Sequence, residues 1–244
     1  MANGERTYQL SKRTIDIVLS SVILILSAPV MLVIWLYIRG HSEGPALFRQ
    51  IRIKKNRRLQ ADRRMIALAV STVESCQRQG NRRRWDTYGE PFVFYKFATM
   101  YPNARERFPD LYAYNYSQEE VDRLVFKLKE DPRVPSWARG LRSSSLDELP
   151  NFFNVLKGDM TLIGPRPDIP EMVKYYTEEQ HRIKLSVKPG VTGFAQIYGR
   201  GHLSFQETLA LDLEYVQNAS LMLDLKILFM TFFELFRGKN GGAF

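Results

Sequence analysis

From Ile17 to Ile38 the chain carries no charged residue, and this apolar run constrains its first part more tightly than any other feature. A straight helix of that length would reach roughly 33 Å at 1.5 Å per residue, enough to match a bilayer core. A cleaved leader fits poorly, because the run is too long for an h-region and Arg39 follows Tyr37 and Ile38 with no small-residue cleavage site between. Pro29 sits in the run, lacks an N–H, and should kink the helix at a cost of about 3 kcal/mol unless something compensates. Ser27 is placed to bond a carbonyl freed by that proline. Both flanks are basic, with Lys12 and Arg13 before the run and Arg39, Arg49, Arg52, Lys54, Lys55, Arg57 and Arg58 after it. Basic loops favour the cytoplasmic side, so a helix that bends at Pro29 and returns to one face satisfies both flanks. A kinked single span is the alternative that these residues leave open.

The chain has 244 residues, 45% of them hydrophobic, which is enough for a real core. The division expected is a membrane element over 1–40 and a catalytic domain over 41–244. A formal charge of +9 suits nucleic acid, anionic lipid or a phosphorylated substrate equally well. Cys76 is the single cysteine, so no intramolecular disulfide can form, and three histidines offer no zinc-like cluster. A reducing, cytoplasmic setting follows most simply.

Residues 44–53 (GPALFRQIRI) and 91–100 (PFVFYKFATM) are rich in aromatic and β-branched residues and predict a pair of short strands. Between them, about 57–88, lies an arginine-rich insert around Met65, Ile66, Ala69 and Val70, expected as a basic helix against lipid headgroups or solvent. Residues 117–130 open on a serine cap with early acids and close in lysines, which predicts a helix. Near the C-terminus FQETLALDLEYVQN and LMLDLKILFMTFFELF predict two more. Asp224, Lys226 and Glu234 make the last one an interfacial helix rather than a span, with Phe229, Phe232, Phe233 and Phe236 toward lipid or core. The fold class expected is α+β and mainly helical: a re-entrant membrane helix, a short hairpin, and interfacial amphipathic helices around a small cytoplasmic catalytic domain.

Chemistry concentrates in residues 141–167, LRSSSLDELPNFFNVLKGDMTLIGPRP. Asp147 and Glu148 are adjacent acids, and Arg166 is an arginine held between two prolines. A carboxylate can attack phosphorus or hold a divalent ion, while a guanidinium pairs with phosphate oxygens. Ser145 and Glu148 also fit a capping box ahead of Pro150, a purely structural use that is compatible with anion binding at a helix start. Gly158-Asp159 predicts a turn before a short strand at Met160 to Ile163, and fixed proline angles lower the entropy that Arg166 loses on binding. In KPGVTGFAQIYGRG (188–201), Pro189-Gly190 suits a type II turn, Gly193, Gly199 and Gly201 permit close approach, and Lys188, Gln196 and Arg200 are candidate phosphate or nucleotide contacts.

Taken in order, KRTID, FRQIR, FYKFATM, DPRVP, the LDELPN-to-GPRP run, VKPGVTGFAQIYGR and DLEYVQNASLMLDLKIL resemble the monotopic bacterial phosphoglycosyl transferases, or bacterial sugar transferases. The resemblance implies a re-entrant helix broken at Ser27 and Pro29, an inner-membrane location with a cytoplasmic catalytic face, and Mg2+. It implies that Asp147 attacks the β-phosphate of a UDP-sugar, releasing UMP, and that polyprenyl phosphate then takes the sugar phosphate to prime glycan assembly. It also assigns Glu148 as metal ligand or general base beside Asp147, Arg142 and Arg166 as phosphate clamps, and Lys96, Gln196 and Arg200 as further donor contacts. Two positions depart from the family pattern. Ala28 stands where a serine usually precedes the proline, and Ala98 stands where a basic residue usually follows YKF. Partners expected are the nucleotide sugar, polyprenyl phosphate and membrane lipid, with no nucleic acid; a homo-oligomer is left open. The competing class is a membrane-tethered basic module binding nucleic acid or anionic lipid.

Overall fold

A computed structural model describes residues 2–55, 89–125, 128, 130–199 and 203–237, with side chains from residue 4 to 234 at the two ends. The arginine-rich insert, Arg200, Gly201 and the Phe236 side chain lie outside the described residues. Helix α1 (Ala2–His41) is followed by an antiparallel hairpin, β1 (Leu47–Lys54) and β2 (Glu90–Phe97), in the register Leu47 opposite Phe97. Then come α2 (Ala104–Arg107), α3 (Gln118–Arg123), α4 (Arg139–Ser143), a 3-10 turn at Leu146–Glu148, and α5 (Asn151–Lys157). Strand β3 (Thr161–Ile163) leads to α6 (Pro170–Val173) and α7 (Glu178–Lys184), and β4 (Gly190–Thr192) pairs parallel to β3. The chain closes with α8 (Phe194–Gly199), α9 (Phe205–Asn218) and α10 (Leu221–Arg237). The mainly helical α+β class and the hairpin are therefore present.

Local chemistry sets several boundaries. Ser117, Thr177 and Ser204 each form a complete capping box with Glu120, Gln180 and Glu207, starting α3, α7 and α9. The helix expected over 117–130 ends early, at Arg123. Leu124 turns extended and its carbonyl accepts the Phe205 N–H at 2.7 Å, so the start of α9 captures the chain. Pro189-Gly190 does not make a type II turn, since Gly190 lacks the positive φ that such a turn needs. Glycine is needed there for space: a Cβ would sit 2.1 Å from the Gly164 nitrogen.

Helix α1 runs unbroken through Pro29 and is long and apolar enough to cross a membrane. Ser27 Oγ makes no hydrogen bond, so the expected rescue of a freed carbonyl is absent. The helix is fastened near its start by a polar root. Lys12 Nζ donates to the Ile163 carbonyl at 2.9 Å and pairs with Asp224 at 2.6 Å. Arg13 donates to the carbonyls of Val155 and Leu156, closing the C-terminal end of α5. Asp16, almost fully buried, accepts from the Leu162 N–H at 2.8 Å and the Thr161 hydroxyl at 3.0 Å. Ile15 and Leu19 pack on the cluster of Phe92, Phe94, Val155 and Tyr215, while farther along Ile34 and Ile38 pack with Ala46, Phe97, Leu146 and Leu149. Between these contacts Ile25 and Leu26 are each 73% exposed. The apolar run thus meets the folded body at both ends and leaves its middle uncovered.

Replacing Asp16 by alanine strands a buried backbone donor and a hydroxyl, so we expect a loss of about 2–4 kcal/mol. Thr161→Ala removes one bond and should lose about 1 kcal/mol. Denaturant unfolding of the detergent-solubilised protein checks this, and equal losses for both variants would contradict the assignment.

Candidate active site

The hairpin and α5 frame the site. Asn154, fully buried on α5, accepts from the Tyr95 N–H and donates to the Val93 carbonyl, so the helix that follows the acid pair is locked to β2. Phe92, Phe94 and Phe97 are buried on β2, and Lys96 is only partly covered. Leu146 and Leu149 pack beneath the 3-10 turn, on the same cluster as Ile34 and Ile38 of α1. The acids therefore stand beside the distal end of the apolar helix.

Asp147 has no exposed surface, yet its surroundings are polar. Its Oδ2 receives Lys96 Nζ at 3.2 Å and the Thr99 hydroxyl at 3.4 Å, while Oδ1 is buried with no hydrogen-bond partner. A carboxylate with one satisfied oxygen and one bare oxygen is chemically asymmetric: the cation occupies one side, and the bare oxygen keeps its lone pairs for an electrophile. Ser145 reaches this arrangement with φ 59°, a left-handed conformation uncommon for serine, and caps nothing with its side chain. The expected capping box between Ser145 and Glu148 is absent, because in that conformation the hydroxyl does not meet the turn's N–H groups. Glu148 is half-buried, and its pKa is raised to about 7, chiefly by burial and then by Asp147; Lys96, Arg166 and Arg52 oppose the rise.

Arg166 is exposed between buried Pro165 and Pro167. Its loop rests on a buried ion cluster: Lys184 pairs with Asp168 and Asp212 at 2.9 Å each and donates to the Tyr176 hydroxyl. The Asp212 contact is an ionic approach rather than a well-aligned hydrogen bond, and the Arg166 backbone N–H also steadies that carboxylate. Burial alone would depress the Lys184 pKa, but the two aspartates hold it well above its ordinary value.

Lys96, Asp147, Glu148 and Arg166 thus form one electrostatic group. Arg142 does not visibly belong to it: its guanidinium lies 3.6 Å from Asp131, whose carboxylate also binds Arg133 through two nitrogens. Gln196 is buried on α8 with its Oε1 unpartnered; a Cβ on Gly193 would lie 3.1 Å from that oxygen and 2.2 Å from the Gly164 carbonyl. It lines the floor of the glycine-rich turn. Arg52, which the sequence places in the basic flank, the first strand and the FRQIR motif without a role of its own, donates to the Pro167 carbonyl at 3.0 Å and lies over the Phe94 ring. Its signal in the sequence was its place on a strand facing β2, opposite Phe92.

Among the described residues no group of three or more His, Cys, Asp and Glu side chains is gathered for a metal. Asp147 Oδ1 and the neighbouring Glu148 nevertheless fit Mg2+, which commonly takes one or two carboxylates and completes its shell with water and substrate phosphates.

The family model described as bacterial sugar transferase matches residues 7–61 and 63–238. The chain belongs to the bacterial sugar transferase family. The chain is 34% identical over 228 residues to undecaprenyl-phosphate galactose phosphotransferase of Salmonella typhimurium, covering 93% of this chain and 41% of that protein. It is 33% identical over 239 residues to the UDP-glucose:undecaprenyl-phosphate glucose-1-phosphate transferase of Escherichia coli, covering 95% of this chain and 41% of that protein. It is also 31% identical over 222 residues to the exopolysaccharide production protein ExoY of Rhizobium meliloti, covering 91% of this chain and 84% of that protein. This family member therefore spans about two fifths of the two larger relatives and most of the shorter one.

In this sugar transferase family member Lys184→Met would leave two buried carboxylates without their cation, with an expected loss of about 3–5 kcal/mol. Lys184→Arg keeps the charge and should recover about half of that loss. Urea midpoints of the three proteins decide the matter: a full-stability methionine variant would show that the cluster is not the support of the Arg166 loop.

Proposed function

We propose that this chain transfers sugar 1-phosphate from a nucleotide diphosphate sugar, a UDP-sugar, to polyprenyl phosphate in the bacterial inner membrane, and so starts the assembly of a glycan. The observation that carries this reading is Asp147, paired with Lys96 through one oxygen while its other oxygen is buried without a partner. The Salmonella and Escherichia relatives, both transferases acting on undecaprenyl phosphate, support the acceptor class.

In the first step Asp147 Oδ1 forms a bond to the β-phosphorus, the bond from that phosphorus to the bridging oxygen breaks, and the electron pair leaves with UMP. In the second step an oxygen of polyprenyl phosphate attacks the same phosphorus, the aspartyl oxygen departs with its electrons, and a polyprenyl diphosphate sugar results. Splitting one displacement in two lets a soluble donor and a lipid acceptor use one small site in turn. Lys96 and Arg166 neutralise phosphate oxygens, and Glu148 lies beside Asp147 to share the metal or take a proton. Mg2+, when bound by Asp147 and Glu148, would offset charge on the diphosphate and the leaving UMP. Asp147 is fully covered, which keeps bulk water from the carboxylate.

The membrane arrangement belongs to the same proposal. The two ends of α1 contact one folded body, at Asp16 and at Ile34 and Ile38, and the exposed apolar stretch lies between them. A helix that spanned the bilayer would place those ends on opposite sides, whereas one that lies within the cytoplasmic leaflet along its exposed middle keeps both ends against the catalytic body. Helix α10 adds Met222 and Phe229, 77% and 71% exposed, as an interfacial face.

Purified protein in detergent, supplied with a panel of UDP-sugars and no lipid acceptor, should release UMP up to one equivalent. Asp147→Asn should lower that release at least about a thousandfold, and Glu148→Gln about a hundredfold or more. Release by Asp147→Asn at the wild-type rate would end the proposal. Chelation by EDTA should abolish release and added Mg2+ restore it; unchanged turnover in EDTA would remove the metal from the scheme.

A further inference from the structure

We propose that Arg52 is a phosphate-binding guanidinium of the site and holds the diphosphate of the nucleotide donor together with Arg166. The inference rests on the transferase reading above and adds a substrate contact to it.

A guanidinium carries five N–H donors. Arg52 commits Nε to Gln50 Oε1 and Nη1 to the Pro167 carbonyl, both at 3.0 Å, and no side-chain acceptor takes its other N–H groups among the described residues. The Phe94 ring lies beneath, 5.4 Å from the guanidinium carbon, and fixes its plane. Arg52 is thus oriented by its neighbours without being consumed by them. The carbonyl it grips belongs to the residue after Arg166, so the two arginines are tied to one rigid loop. Among charged groups Arg166 acts on Arg52 most strongly, and this repulsion joins burial in lowering the Arg52 pKa to about 10. Asp168, which attracts Arg52, is already paired with Lys184. Two like charges that repel one another cost stability, and a diphosphate that offers oxygens to both forks offsets that cost. Both guanidinia also act on Glu148, which puts the proposed cradle beside the carboxylates.

UDP, common to every UDP-sugar and not itself a donor, is the probe. Binding to the full chain in nanodiscs with Mg2+ should weaken at least tenfold in Arg52→Ala, and the dependence of affinity on salt should flatten because one ionic contact is gone. Arg52→Lys should recover part of the affinity. Arg52→Gln retains volume and a donor for Pro167, so it should fold like wild type and still bind UDP weakly. Affinity within twofold of wild type in Arg52→Gln, or weakened affinity with an unchanged salt slope, overturns the assignment. Asp147→Asn is measured alongside: wild-type UMP release there sinks the transferase reading itself, whereas a dead Asp147→Asn with normal UDP binding by both neutral Arg52 variants sinks only the proposal about Arg52.

Discussion

An apolar helix of this length has many ways to sit against a folded body, and the polar root at Lys12, Arg13 and Asp16 removes most of them. Each of these side chains spends its charge on backbone groups or a buried partner: Lys12 on the Ile163 carbonyl and Asp224, Arg13 on the end of α5, Asp16 on the edge of β3. These bonds are directional, so they set the rotation and the height of α1, which greasy packing alone leaves loose. With that register set, Ile34 and Ile38 arrive under Leu146 and Leu149, and the turn bearing Asp147 gains its floor. The apolar helix and the turn that bears Asp147 are parts of one packed unit.

Electrostatics in the site depends on which charges are satisfied and which are left in want. Lys184 is saturated by two aspartates and a tyrosine and serves as a strut. Arg133 is spent on Asp131. Asp147 keeps one bare oxygen, and Arg166 stands exposed on a stiff loop. A soluble domain gains stability by pairing its charges; retaining several incompletely paired ones within one small region has a cost that a phosphorylated ligand can offset.

Much of this was legible in the residues. The aromatic and β-branched runs around Phe48 and Phe94 announced the hairpin, the serine cap at Ser117 announced α3, and the acid pair and the proline-flanked arginine stood out by chemistry; α7, with its Thr177 cap, went unpredicted. What escaped were facts of three-dimensional pairing. Arg49 and Arg52 look alike in sequence, yet Arg49 is exposed while Arg52 grips Pro167, a partner 115 residues away. Arg142 looked free until Asp131 was found next to it. Ser145 was read as a cap, but its positive φ, imposed by packing on either side of the turn, turns the hydroxyl away from that task. Propensity describes a residue's neighbours in the chain and says little about such distant partners.

The crossing of Gly164 and Gly190 carries a consequence for how such a protein diversifies. A Cβ on Gly164 would meet the Lys188 carbonyl at 2.6 Å, and one on Gly190 would meet Gly164 at 2.1 Å, so the two backbones are already at contact. There is no slack there for a new side chain, and the arginine that follows inherits that immobility. A new side chain is therefore better accommodated around the rim than at this crossing, much as a lathe changes its tool while the headstock stays bolted down.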